Sequence, residues 1–174
     1  MNLNSKLILV FFMLTLFLSG CPSEPEFDKS KFADLGRTAE ALKTAITSSE
    51  PCSAPQDLEQ QFAAGIAAVK DKTTSKLEHD VVVAYMHLLT TYQDGLLLCR
   101  SRGHFANFQF FPKDRIYVTQ YLDPVVQKYD LPVEKHLYKQ TGEYLRSVDV
   151  KSIDVVWESA LAQIQHIETT IKYN

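Results

Sequence analysis

Six glycines in 174 residues, one of them in an apolar leader, leave little material for a glycine-rich phosphate loop, and the sequence contains none. The five histidines, His79, His87, His104, His136 and His166, include no pair at the i, i+4 spacing that sets two metal ligands on one helical face. H-E-x-x-H is missing, as are the E-x-x-H pair of di-iron bundles, C-x-x-C for zinc or redox work and C-x-x-C-H for haem. No G-x-S-x-G nucleophile elbow stands among the serines. A basic surplus is lacking too: 18 Lys and Arg face 21 Asp and Glu, a formal net charge of −3. That balance argues against nucleic acid and against charge-driven docking to anionic lipid. Carboxylate pairs for glycoside hydrolysis stay open, because their spacing is spatial rather than sequential. The expectation is no catalytic set, no metal and no cofactor.

What the chain does contain begins at its amino terminus. Lys6 precedes an apolar run from Leu7 to Leu18, shorter than the roughly 20 residues a spanning helix needs. The small residues Ser19 and Gly20 follow it, and Pro22 stops any helix from continuing. The residues Leu18-Ser19-Gly20-Cys21 at the close of this run resemble the lipobox of a bacterial lipoprotein signal peptide. The resemblance covers about the first 21 residues. It implies lipid on the Cys21 sulfur, cleavage before Cys21 and fatty acylation, palmitate included, of the new amino terminus. The competing reading, an uncleaved transmembrane anchor, lacks a stop-transfer pattern in Ser23 to Lys31. The expected organisation is a signal peptide over 1–20, a lipidated tether over 21–30 and a single helical domain over 31–174. Cleavage removes only one charged residue, Lys6, so the mature chain carries a formal −4. The protein is then expected outside the cytoplasm, held to a membrane by acyl chains. Pro22 in place of Asp resembles outer-membrane sorting in a Gram-negative envelope, with the domain facing the periplasm; otherwise the outer face of the cell membrane is implied.

Two further cysteines, Cys52 and Cys99, make an even pair in an exported chain and suggest a disulfide. Helical periodicity supports the pairing. Leu58, Phe62, Ile66 and Val69 share one face of a helix. Ser75-Lys76-Leu77-Glu78 has the form of a capping box opening the next helix, with Leu77, Val81, Tyr85, Leu88, Tyr92, Leu96 and Cys99 along its stripe. An antiparallel hairpin folded near residues 75 and 76 brings 52 and 99 to the same end. Before it, Phe32, Leu35, Ala39, Leu42 and Ile46 mark a bundle helix from about 31 to 47. After it, short helices are expected over 114–122 and from Asp123, where Pro124 suits a first helical position. Longer helices are expected over 133–146 and 150–172, the last presenting Ile153, Val156, Trp157, Ala160, Ile164, Ile167 and Ile171. The predicted fold is all-α: a bundle of four main helices plus short helices, with one disulfide and no strand.

The most unusual stretch is Arg100 to Pro112, in which Phe105, Phe108, Phe110 and Phe111 crowd a connector marked by Gly103 and Pro112. Two readings stand. The rings plug the open side of the bundle, or they form an exposed patch that binds a partner, with Arg100 and Arg102 at its edge recognising carboxylate or phosphate. Basic residues at a helix C-terminus also simply favour the dipole. Two function classes follow. One is a non-catalytic envelope adaptor that holds a protein partner near the membrane; small helical lipoproteins such as secretion pilotins are similar in architecture. The other is a tethered small-ligand-binding or enzymatic helical domain, marked by a buried pocket drawing on His79, His87, Asp94, Glu143 and Tyr144.

Overall fold

The structure, a computed structural model, describes residues 25–53, 56–104, 112, 114–139 and 141–174. A 3-10 turn, Lys29–Phe32, is opened by Asp28, whose carboxylate accepts from the Ser30 backbone N–H at 2.9 Å. It leads into α1, Ala33–Ile46. A second 3-10 turn at Pro51–Ser53 precedes α2, Gln56–Lys70. The long α3 runs Lys76–His104, and α5, Ser152–Tyr173, closes the chain after a short α4, Asp123–Lys128. The apolar stripes read from the sequence are the buried faces: Phe32, Leu35 and Leu42 from α1, Phe62 and Ile66 from α2, Tyr85, Leu88 and Tyr92 from α3, Val156, Trp157 and Ile164 from α5.

These four helices pack as a ring, α1 on α2, α2 on α3, α3 on α5 and α5 back on α1. Side-chain contacts fix their directions. Gly65 of α2 faces Leu35 of α1 so closely that a Cβ there would lie 3.1 Å from the leucine Cδ1. Trp157, near the start of α5, meets Tyr92 in the second half of α3 at 5.6 Å between ring centroids, and Gln163 donates to Thr91 at 2.9 Å. Neighbours therefore run antiparallel, up-down-up-down. One end of the bundle gathers the start of α1, the α2–α3 turn and the end of α5; the other holds the disulfide and the sheet. No helix among the described residues is long and apolar enough to cross a membrane.

The all-α expectation needs correcting. Residues expected as a helix over 133–146 form a hairpin of β2, Glu134–Tyr138, and β3, Glu143–Asp149, while the helix expected over 114–122 is replaced by β1, Arg115–Tyr117, and turns. The sheet has the order β1-β3-β2, both pairs antiparallel, with Ile116 opposite Val148 and Leu137 opposite Tyr144. The reason is local. Thr141-Gly142 turns the chain, Gly142 taking φ 76°, where a side chain would be strained. On either side of that turn, strand pairing lets Ile116 and Val148 bury fully while Tyr144 and Leu137 stay outside. The short helix at Pro124 is present, but Leu122 is its N-cap, and Asp123 instead accepts from Arg146 at 2.7 Å, tying α4 to β3.

Cys52 and Cys99 form a disulfide, with Cα atoms 5.3 Å apart and a sequence separation of 47. The hairpin of α2 and α3 places both at one end, as the helical spacing implies. Cross-linking a loop of that length restricts the unfolded chain by about 4 kcal/mol in the chain-entropy model. The Cys52→Ser/Cys99→Ser variant should lose roughly 4 kcal/mol, read as a lowered urea midpoint at unchanged pH. An unchanged midpoint would mean that the unfolded chain is already held compact by other contacts.

Candidate functional site

The expected binding residues divide between what the structure describes and what it does not. Cys21, Phe105, Phe108, Phe110 and Phe111 lie outside the described residues. Arg100 is 64% exposed and pairs with Glu59 of α2 at 3.5 Å. Arg102 points elsewhere, into a cleft of about 490 Å³ that it shares with Pro51, Cys52, Lys151 and Asp154. Residues two apart on a helix face different sides. The two arginines are therefore set on different surfaces, not side by side.

Residues marked for a buried catalytic or ligand pocket do not converge. His79 is exposed at the start of α3 and His87 two turns on. Asp94 accepts from Lys128 Nζ at 2.8 Å and from the Tyr129 hydroxyl at 2.9 Å, a clasp that fastens α4 to α3. Among the described residues Glu143 accepts only from the Thr141 hydroxyl, at 3.5 Å, and Tyr144 is 67% exposed on the hairpin. Among the described residues, no group of three or more His, Cys, Asp or Glu is placed to hold a metal ion.

Two grooves run between helices. The larger, about 600 Å³, lies between the end of α1 and the start of α2, with Ala41, Ala45 and Leu58 on its apolar floor and Glu50, Asp57 and Gln61 at its rim. It opens beside the disulfide. The second, about 400 Å³, lies between α3 and α5 and brings His87 and His166 to one surface above Ala84 and Ala162. Its wall includes Gln163, whose Nε2 donates to Thr91 and Ser159 while its Oε1 has no partner among the described residues. The two histidines are 79 positions apart, and no sequence signal joins them.

The strongest electrostatic feature lies at the start of α3, where the capping box was expected. Glu78 is fully buried there, while the adjoining His79 and Asp80 are exposed. Its carboxylate accepts from Lys31 Nζ at 2.8 Å, from the backbone N–H of Asp28 at 3.0 Å and Thr74 at 2.6 Å, and more weakly from Ser75 at 3.4 Å. Ser75 Oγ in turn accepts from the Glu78 N–H at 3.2 Å, completing the capping box. Burial alone raises the carboxyl pKa; the Lys31 ammonium and the backbone donors outweigh it and hold the group at about 2. Nothing here suits acid/base chemistry near neutrality. The network is a lock joining the leading segment of the domain to the α2–α3 turn.

No protein-family model, curated protein or solved structure matches this chain.

Proposed function

We propose that the chain is a lipid-anchored envelope protein, acylated at Cys21, whose helical domain is a non-catalytic binding module for a protein partner. The observation that carries the reading is the Cys52–Cys99 bridge. A stable disulfide belongs to an oxidising compartment, so it supports export. It also uses two of the three cysteines in the chain, which leaves Cys21, at the end of the apolar leader, as the odd one with a different task. The open groove between α1 and α2 supports the binding part of the reading. An apolar floor of Ala41, Ala45 and Leu58 with a polar rim is the form in which an amphipathic helix is received.

Anchoring and binding are tested separately. Cys21→Ser should leave the leader uncleaved and abolish fatty-acid labelling of the expressed protein; normal processing and labelling in that variant would remove the basis of the anchor. For binding, the tagged lipidated protein is crosslinked in its own envelope, alongside an Ala45→Arg variant that remains folded. A partner enriched with the wild type and lost with the variant supports the groove. Equal recovery from both moves the binding surface elsewhere, and a Phe108→Ser/Phe111→Ser variant then tests the aromatic connector.

A further inference from the structure

We infer that the bundle stands end-on upon its membrane, with the end formed by the start of α1, the α2–α3 turn and the end of α5 resting on phospholipid headgroups. The inference rests on the lipid anchor at Cys21. Cys21 and Pro25 are four positions apart, and a fully extended chain of that length spans at most about 14 Å. Pro25 leads directly into Asp28, whose backbone is bonded to Glu78 at the α2–α3 turn, and Lys29 Nζ donates to the Lys172 carbonyl at 3.1 Å. This end is therefore confined to the neighbourhood of the bilayer, leaving two postures, end-on or lying on a flank.

Charge decides between them. Along the flanks, Glu40 and Glu168 share Lys43, but Asp154 and Glu158 stand exposed on α5 with no cation in ion-pair reach among the described residues, a surface ill-suited to a phosphate layer. The end is different. Lys29, Lys70, Lys72 and Lys172 are exposed there with no carboxylate in ion-pair reach among the described residues. The acidic residues at the same end are largely engaged: Glu78 with Lys31, Asp80 with Lys76, Asp34 with Arg37 and Asp28 with Ser30, leaving Asp71 and Glu26 without a charge partner among the described residues. Helix dipoles account for Lys70 and Lys172 in last turns but not for Lys29, at a helix start, or Lys72, in a turn. Tyr173 is 75% exposed beside Lys172, whose Nζ lies 5.4 Å from the ring centroid, and such amphipathic rings settle at headgroup level. Acyl chains hold the protein; the lysines and the tyrosine set its posture. Since α3 has 29 residues, its far end stands about 43 Å further out, carrying the disulfide and both arginines away from the lipid.

Lysine footprinting with a water-soluble acylating reagent reads the posture. The full lipidated protein is compared in detergent and in vesicles of phosphatidylcholine and phosphatidylglycerol, which carry no primary amine. Lys29, Lys70, Lys72 and Lys172 should lose reactivity severalfold in vesicles, while Lys135 and Lys151 keep theirs. The Lys70→Glu/Lys72→Glu variant, still anchored, should regain reactivity at Lys29 and Lys172. Equal reactivity at both ends of an anchored protein would overturn the inference, as would protection that persists in detergent, which assigns the end to a second copy of the chain. A mature amino terminus whose mass shows no acyl chain would instead overturn the anchor itself.

Discussion

Glu78→Ala is expected to lower folding stability by about 3–5 kcal/mol at pH 7, because it leaves the Lys31 ammonium, 19% exposed, without its counter-charge and strands three backbone donors. Glu78→Gln separates charge from shape, since the amide keeps an acceptor in place. The pH dependence follows from the depressed pKa. The carboxyl titrates at about 2 in the folded protein against an ordinary 4.5, so its contribution is complete above pH 4.5 and is lost as pH falls towards 2. A shift of that size corresponds to about 3 kcal/mol. Urea unfolding of wild type and Glu78→Gln at pH 7, 4.5, 3 and 2 should therefore show a gap that narrows through this window. A gap of the same size at every pH would assign the effect to packing and not to charge.

The Glu78 network also shows where sequence reading reaches its limit. Ser75 and Glu78 were legible as a capping box because both partners lie within one turn. The burial of Glu78 was not legible, because it depends on Lys31 and Asp28, 47 and 50 positions away. The helical stripes of α1, α2, α3 and α5 were legible for the same local reason that made the capping box so, and the Cys52–Cys99 register followed from two of them. The hairpin over 134–149 was missed, although Thr141-Gly142 between two aromatic-bearing segments is a turn signal. Its few buried positions fit either period. Pairing with β1, a strand of three residues, settles what the local pattern leaves ambiguous. The α3–α5 groove with His87 and His166 was beyond reach, since its members meet only through the ring of helices.

Gly95 carries a further expectation, since a glycine inside a 29-residue helix costs about 1 kcal/mol relative to alanine and calls for a packing reason. The reason is Trp157. A Cβ at position 95 would lie 2.2 Å from two carbons of the indole ring, so the ring rests directly on the α3 backbone. Trp157 is 4% exposed and packs against Tyr92. Trp157→Ala should cost roughly 3–5 kcal/mol through lost burial and the cavity left behind. Gly95→Ala in the wild type should cost about 1–3 kcal/mol or more, because the ring has to leave its place. In the Trp157→Ala background the sign should reverse: the added methyl enters the vacated space, and alanine's helix propensity gives up to about 1 kcal/mol in return. The two substitutions are thus expected to be strongly non-additive in a double-mutant cycle, with a coupling of about 2 kcal/mol or more. Additive costs in chemical unfolding would show that the ring does not bear on Gly95, and the close approach of α3 to α5 at this level would need another cause.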